Sequence, residues 1–202
     1  MTERIKFEKD DLLETLASIS ANLDSEITIY LIGGLAMIFH GFKAVTKDVD
    51  LIIDSDKKLR AFLSASEKAE LNIADDLSEE YQDLEAQIVL IAENDVRLDV
   101  FYKQVCGGLL ITSDMKERSS KVYEMDKLII MAMSKEDIFL FKSITLRDDD
   151  LADMATIAGA ELDWNVIEFE ARNQPDSKKW LQRLSDRLLD LKDEYGVDSP
   201  LI

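Results

Sequence analysis

A chain of 202 residues, 47% of them hydrophobic, has room for one well-packed domain and an appended helical part, and its composition excludes a disordered polymer. Its formal charge of −18, from 42 acidic against 24 basic side chains, repels a phosphate backbone and argues against an extended nucleic-acid surface. No apolar run nears the roughly 20 residues of a membrane span, the charged start MTERIKFEKDDLLE lacks a signal-peptide core, and Cys106 has no disulfide partner, so a non-membrane, cytoplasmic protein is expected.

Leu12, Leu13, Leu16 and Ile19 recur at helical spacing, which predicts an amphipathic helix over 9–22. The β-branched run ITIYLI over 27–32 reads as a buried strand, followed at once by Gly33-Gly34 and the helix-forming LAMIFHGF. DVDLII, 48–53, reads as a second strand, 56–70 as a charged helix and 72–85 as acidic loop. AQIVLIA, 86–92, and VRLDVFY, 96–102, read as a hairpin turning on Glu-Asn-Asp. A helix over about 113–121 and a short edge strand at 128–131 close this part. Ser134 with Asp137 forms a capping signal, after which everything reads as helix, with Pro175 parting the last two. The expected class is α+β: a small mixed β-sheet with flanking helices over 1–133, then a C-terminal helical bundle over 134–202.

Asp48 and Asp50 stand one residue apart on a predicted strand. Side chains alternate faces with period two, so both carboxylates share a side, about 7 Å apart, while Val49 and Leu51 face the core. Like charges held together beside a buried sheet are costly unless a cation neutralises them. Mg²⁺, or Mn²⁺ in its place, suits such oxygen donors and keeps company with phosphates. Asp99 interrupts another apolar strand and would complete a three-carboxylate site able to hold two metals. The strand–Gly33-Gly34–helix turn exposes backbone N–H groups and forms a natural phosphate cradle. In so acidic a chain a D-x-D pair also arises by chance, and the strand context is what sets this one apart.

IYLIGGLAMIFHGFKAVTKDVDLII resembles the signature of the polymerase-β-type nucleotidyltransferases, an apolar residue and Gly-Gly followed after a spacer by D-h-D-h. Within that superfamily it is most similar to small prokaryotic members: aminoglycoside and lincosamide nucleotidyltransferases and the toxins of abortive-infection (toxin–antitoxin) systems. The resemblance covers the first 102 residues well and the helical half more loosely. It implies the nucleotidyltransferase fold and transfer of a nucleoside monophosphate from an NTP, with loss of pyrophosphate. It implies that Gly33 and Gly34 hold the triphosphate, aided by Lys43 and Thr46, and that Asp48, Asp50 and Asp99 hold the metals. Lys43 stands where many relatives carry arginine, which keeps charge but loses bidentate contact. EDIFLFKSITLRDDDLADMATI is similar to a lysine-bearing helix followed by an arginine–aspartate segment. Lys142 would then reach the nucleotide phosphates and Asp150 would be structural; the alternative is that Lys142 and Arg147, five apart on one helix, pair with local acids.

The acceptor stays open among a small molecule, a protein and a tRNA end, and the net charge would welcome a cationic one. A homodimer is compatible with the sequence. A catalytically silent nucleotide- or partner-binding module with the same fold is the alternative function. An aspartyl-phosphate phosphatase is disfavoured, because Leu51-Ile52 continue the strand where a Gly-Thr-like turn belongs. His40 is the only histidine and reads as structural, as do Trp164 and Trp180; Cys106 has no partner for thiol chemistry; and Asp148–Asp150 suits a helix start better than a calcium loop.

Overall fold

The computed structural model describes residues 9–74, 88–105, 107–145 and 147–202; residues 75–85 of the expected loop at 72–85, the first two residues of the 86–92 strand, and Cys106 lie outside the described residues. Seven strands form one mixed sheet: β1 (Ile27–Leu31), β2 (Val49–Ile53), β3 (Asn72–Ile73), β4 (Ile88–Ile91), β5 (Arg97–Tyr102), β8 (Ser120–Glu124) and β9 (Leu128–Ala132). Their order is β3-β4-β5-β2-β1-β9-β8. The inner strands β1, β2 and β5 are covered on both faces, which is why they read as near-continuous apolar runs rather than clean alternations. β2 pairs parallel to β5 and antiparallel to β1, while β1 pairs parallel to β9. The 92–96 turn closes the expected β4–β5 hairpin, with Ala92 N–H donating to Val96 O at 2.9 Å.

Helices α1 (Lys9–Asn22) and α3 (Asp56–Lys68) pack on each other, and α3 packs on β1 and β2. Leu12, Leu16 and Ile19 are buried apolar residues of α1, as their spacing demands, and Leu13 is half-buried. Ser55 caps α3 by accepting from Lys58 N at 3.3 Å. The short α2 (Gly33–Phe39) follows β1 directly. A small hairpin of β6 (Gln104–Val105) and β7 (Leu109–Leu110) leads to α4 (Ser113–Arg118). The helical part comprises α5 (Lys135–Ser143), α6 (Asp148–Ala158), α7 (Trp164–Asn173) and α8 (Ser177–Tyr195). Ser134 caps α5 as expected, accepting from Asp137 N, and Pro175 lies between α7 and α8. α5 packs against α2 and α6, which joins the helical part to the Gly-Gly turn. The architecture is a mixed sheet with flanking helices followed by a helical bundle.

Three expectations need correction. The strand at 128–131 is not an edge: β9 runs between β1 and β8, and β8 is the edge. The helix at 113–121 stops at Arg118, because Ser119 turns extended (φ −66°, ψ 148°) and Lys121 to Glu124 pair with β9. Lys142 and Arg147 do not share a helix. α5 ends at Ser143, Thr145 turns its hydroxyl onto Lys142 O at 3.0 Å, and Arg147 becomes the residue before α6. Competition of this kind between a threonine hydroxyl and the helical backbone favours a break.

Candidate functional site

Asp50 and Asp99 are direct register partners on the parallel strands β2 and β5, so their side chains leave the sheet on the same face. Val49 and Leu51 are buried on the other face. Asp99 is fully buried and accepts from Arg97 Nε at 2.7 Å, a contact along one strand face between residues two apart. Asp48, expected on this strand at 48–53, instead falls just before β2, so strand alternation does not fix the side its carboxylate takes; it is half-buried, like Asp50. Burial, then Asp48, then Asp99 push the Asp50 carboxyl well above the usual carboxylate range, against the opposing pull of Arg147 and Lys142. Electrostatically, this is a place short of positive charge.

The glycine pair exists because the site's own side chains need the room. Gly33 has φ +58°, and a β-carbon there would lie 2.0 Å from Asp50 Oδ2. One on Gly34 would lie 2.4 Å from Thr46 Oγ1, and that hydroxyl in turn donates to Asp48 O at 3.0 Å. The turn therefore seats Asp50 and braces the stretch leading to Asp48.

A cleft of about 630 Å³ opens between this turn and α6, lined on one side by Gly34, Lys43, Thr46, Lys47, Asp48 and Asp50. Lys142, Arg147, Asp148, Asp149, Asp150 and Asp153 line the other. Gly33 lines a smaller adjoining pocket of about 40 Å³, together with Asp50, Lys142 and Arg147. A chain of ion pairs crosses the cleft. Lys43 Nζ reaches Asp153 at 2.9 Å; Lys142 Nζ bridges Asp153 at 2.7 Å and Asp150 at 2.6 Å; Arg147 Nε reaches Asp150 at 2.8 Å. Thr145 adds a hydroxyl donor to Asp150 at 2.6 Å. Burial alone would raise the Asp150 carboxyl, yet Lys142 and Arg147 beside it hold it down at about 2. Burial would lower the Lys142 ammonium, but Asp150 and Asp153 outweigh it and raise the group above the usual lysine range.

A family model described as "Nucleotidyltransferase of unknown function (DUF6036)" matches residues 10–190. The chain belongs to that family. Among solved structures, a crystal structure of a candidate nucleotidyltransferase from H. pylori is similar over 95% of this chain and 86% of its own, at 13% identity and a TM-score of 0.44. No curated protein matches.

Within this member of the family, the residues singled out from sequence stand as follows. Asp48, Asp50, Gly34, Lys43, Thr46 and Lys142 line the cleft and Gly33 its annex, whereas Asp99, beside Asp50 on the neighbouring strand, is buried and is not among the lining side chains. Lys142 pairs with the local acids Asp150 and Asp153, the alternative weighed for it from sequence. Among the described residues no group of three or more His, Cys, Asp or Glu side chains stands arranged as a metal cluster. Arg147, Asp153 and the helix-start acids Asp148 and Asp149 line the same space, a place not assigned to them from sequence. The signal for them was present in the R-D-D-D-x-x-D spacing, which puts Asp150 and Asp153 three apart on one helix face. His40 donates from Nε2 to Met133 O (2.7 Å), Trp180 is buried, and Trp164 packs edge-on against Phe139 at 5.4 Å, all structural contacts.

Proposed function

We propose that this chain is a metal-dependent nucleotidyltransferase, which moves a nucleoside monophosphate from an NTP to an acceptor and releases pyrophosphate. The observation that carries the reading is the pairing, in one cleft, of the carboxylates Asp48 and Asp50 with Lys43, Lys142 and Arg147. The donor set fits Mg²⁺ or Mn²⁺. Two hard carboxylates, one with its proton affinity raised by burial and then by its acidic neighbours, supply part of a coordination shell that water and phosphate oxygens ordinarily complete. When bound, a divalent cation supplies charge neutralisation on the phosphates and acidifies an acceptor hydroxyl.

The chain's own residues do the rest. Gly33 allows Asp50 to lie against the turn, and Thr46 fixes the backbone at Asp48. Lys43, Lys142 and Arg147 offer positive charge to the triphosphate, with Asp150 orienting the last two. The acceptor oxygen bonds to the α-phosphorus as the bridging P–O bond breaks, and pyrophosphate leaves with that electron pair. Asp99 is the third carboxylate of the set; Arg97 donates to its Oδ1 and so competes for its charge with any metal or acceptor proton. That contact is also what favours a second reading, a module that binds nucleotide without turnover.

The deciding experiment incubates the protein with each labelled NTP, Mg²⁺ or Mn²⁺, and a panel of small-molecule, protein and tRNA acceptors, and follows pyrophosphate and acceptor label. Transfer that drops at least about a hundredfold in Asp50→Asn supports the enzyme. Transfer that survives both Asp48→Asn and Asp50→Asn refutes the assigned site, and metal-dependent NTP binding with no transfer selects the module.

A further inference from the structure

Asp153 is gripped from two sides. Both of its oxygens lie 2.9–3.0 Å from Lys43 Nζ, and Oδ2 also lies 2.7 Å from Lys142 Nζ. Lys43 comes from the stretch joining α2 to β2 and Lys142 from α5, so a carboxylate on a third element, α6, sits between two ammonium groups that belong to opposite walls. Two lysines converging on one compact oxyanion is how proteins hold a phosphate oxygen. In the ion pairs described, Lys43, Lys142 and Arg147 hold Asp150 and Asp153, while Asp48 and Asp50 stand in the same cleft. Asp150 is locked from Lys142, Thr145 and Arg147 together, whereas Asp153 is bonded by the two lysines alone among the contacts described.

We infer that Asp153 is an internal stand-in for a ligand phosphate: its carboxylate holds the Lys43–Lys142 seat in the free protein and gives it up when a polyphosphate enters the cleft. The inference rests on the nucleotide reading for the identity of the ligand but not on turnover. It has two consequences. Asp153 lowers the affinity of the free protein for polyphosphate, because the incoming anion must displace it. It also straps the 41–48 stretch, with Lys43, Thr46 and Asp48, to α6, so ligand entry and the position of Asp48 are coupled through one side chain.

The test is calorimetric titration of the intact protein with inorganic tripolyphosphate in EDTA, which removes metal and chemistry from the readout. Asp153→Asn, which keeps shape and hydrogen bonding, is expected to bind roughly tenfold tighter than the parent, and Lys43→Met roughly tenfold weaker. The gain from Asp153→Asn is expected to vanish in the Lys43→Met background. Asp149→Asn, an exposed acid of the same cleft, controls for net charge alone. An equal gain in Asp149→Asn, no gain in Asp153→Asn, or no tripolyphosphate binding to any of these proteins overturns the stand-in. If that happens while Asp50-dependent transfer persists, the enzymatic reading stands without it; a selective gain without transfer leaves the stand-in and removes the enzyme.

Discussion

The tightest constraint in the molecule falls on a residue with no side chain. Gly33 combines a left-handed φ with the Asp50 carboxylate in the space a β-carbon would fill. Either fault alone is tolerable, since left-handed backbone costs about 1 kcal/mol in an L-residue. Gly41 provides the comparison: its φ is +78°, but nothing lies within 4 Å of its missing β-carbon. Gly41→Ala is therefore expected to lose about 1 kcal/mol in urea denaturation and to keep nucleotide binding. Gly33→Ala must also move Asp50, so it is expected to lose about 2–3 kcal/mol and the metal-dependent part of NTP binding together. Equal effects of the two substitutions would mean that backbone strain, not the approach of Asp50, selects glycine here.

At the scale of elements, the break between α5 and α6 organises the far wall of the cleft. The turn lets Lys142, Thr145 and Arg147 all bond the one carboxylate of Asp150, which is 3% exposed. A carboxyl held at about 2 when folded, against roughly 3.9 unfolded, binds fewer protons in the native state. Its contribution, on the order of 2 to 3 kcal/mol, is therefore complete above about pH 4 and lost as pH falls through 2. Denaturation of the parent and of Asp150→Asn across pH 7 to 2 is expected to give a stability gap that narrows by that amount at the acid end; a gap independent of pH would show that Asp150 acts by packing alone. This wall is also where the sequence was hardest to read. The strands, the Gly-Gly turn and the D-x-D pair announce themselves locally, through β-branched runs and period-two alternation that need no distant partner. Ser134 with Asp137 likewise marks the start of α5 from four residues. Lys142 and Arg147 are different: helix-forming neighbours predict one continuous helix, and only the tertiary convergence on Asp150 breaks it. The place of β9 inside the sheet is illegible for the same reason, since parallel pairing with β1 joins residues about a hundred apart. Asp99 could be placed on the right strand face from sequence, yet its bond from Arg97 follows from burial that no local pattern reveals.

The whole molecule is tied together by a second buried polar cluster, which shares helix α5 with the cleft through Asp137 and Lys142. Arg118 at the end of α4 donates to Asp137 on α5 at 2.7 Å and to Glu170 on α7 at 2.5 Å, and both acids are 1% exposed. Thr112 completes Glu170 at 3.0 Å and Ser134 completes Asp137 at 2.7 Å. One cation thereby joins the segment that follows the β6–β7 hairpin to two helices of the bundle, and it does so beside a hydrophobic cluster that is continuous from Leu12 to Leu191. Both geometries point to sheet and bundle unfolding together. The parent is expected to show a single urea transition reported identically by tryptophan fluorescence (Trp164 and Trp180, both in the bundle) and by far-ultraviolet dichroism of the whole chain. Arg118→Ala strands two buried carboxylates, which costs far more than the lost pair was worth, on the order of 3 to 5 kcal/mol. Burial already raises the Asp137 carboxyl despite Arg118, so without the arginine that group takes up a proton more readily. A stranded carboxylate is relieved by neutralising it, so Arg118→Ala combined with Asp137→Asn and Glu170→Gln is expected to recover a large part of the loss. Two resolved transitions in the parent, or an Arg118→Ala protein as stable as the parent, would mean that the bundle folds without reference to the sheet, and that the cleft between them is set by the α2–α5 contact instead.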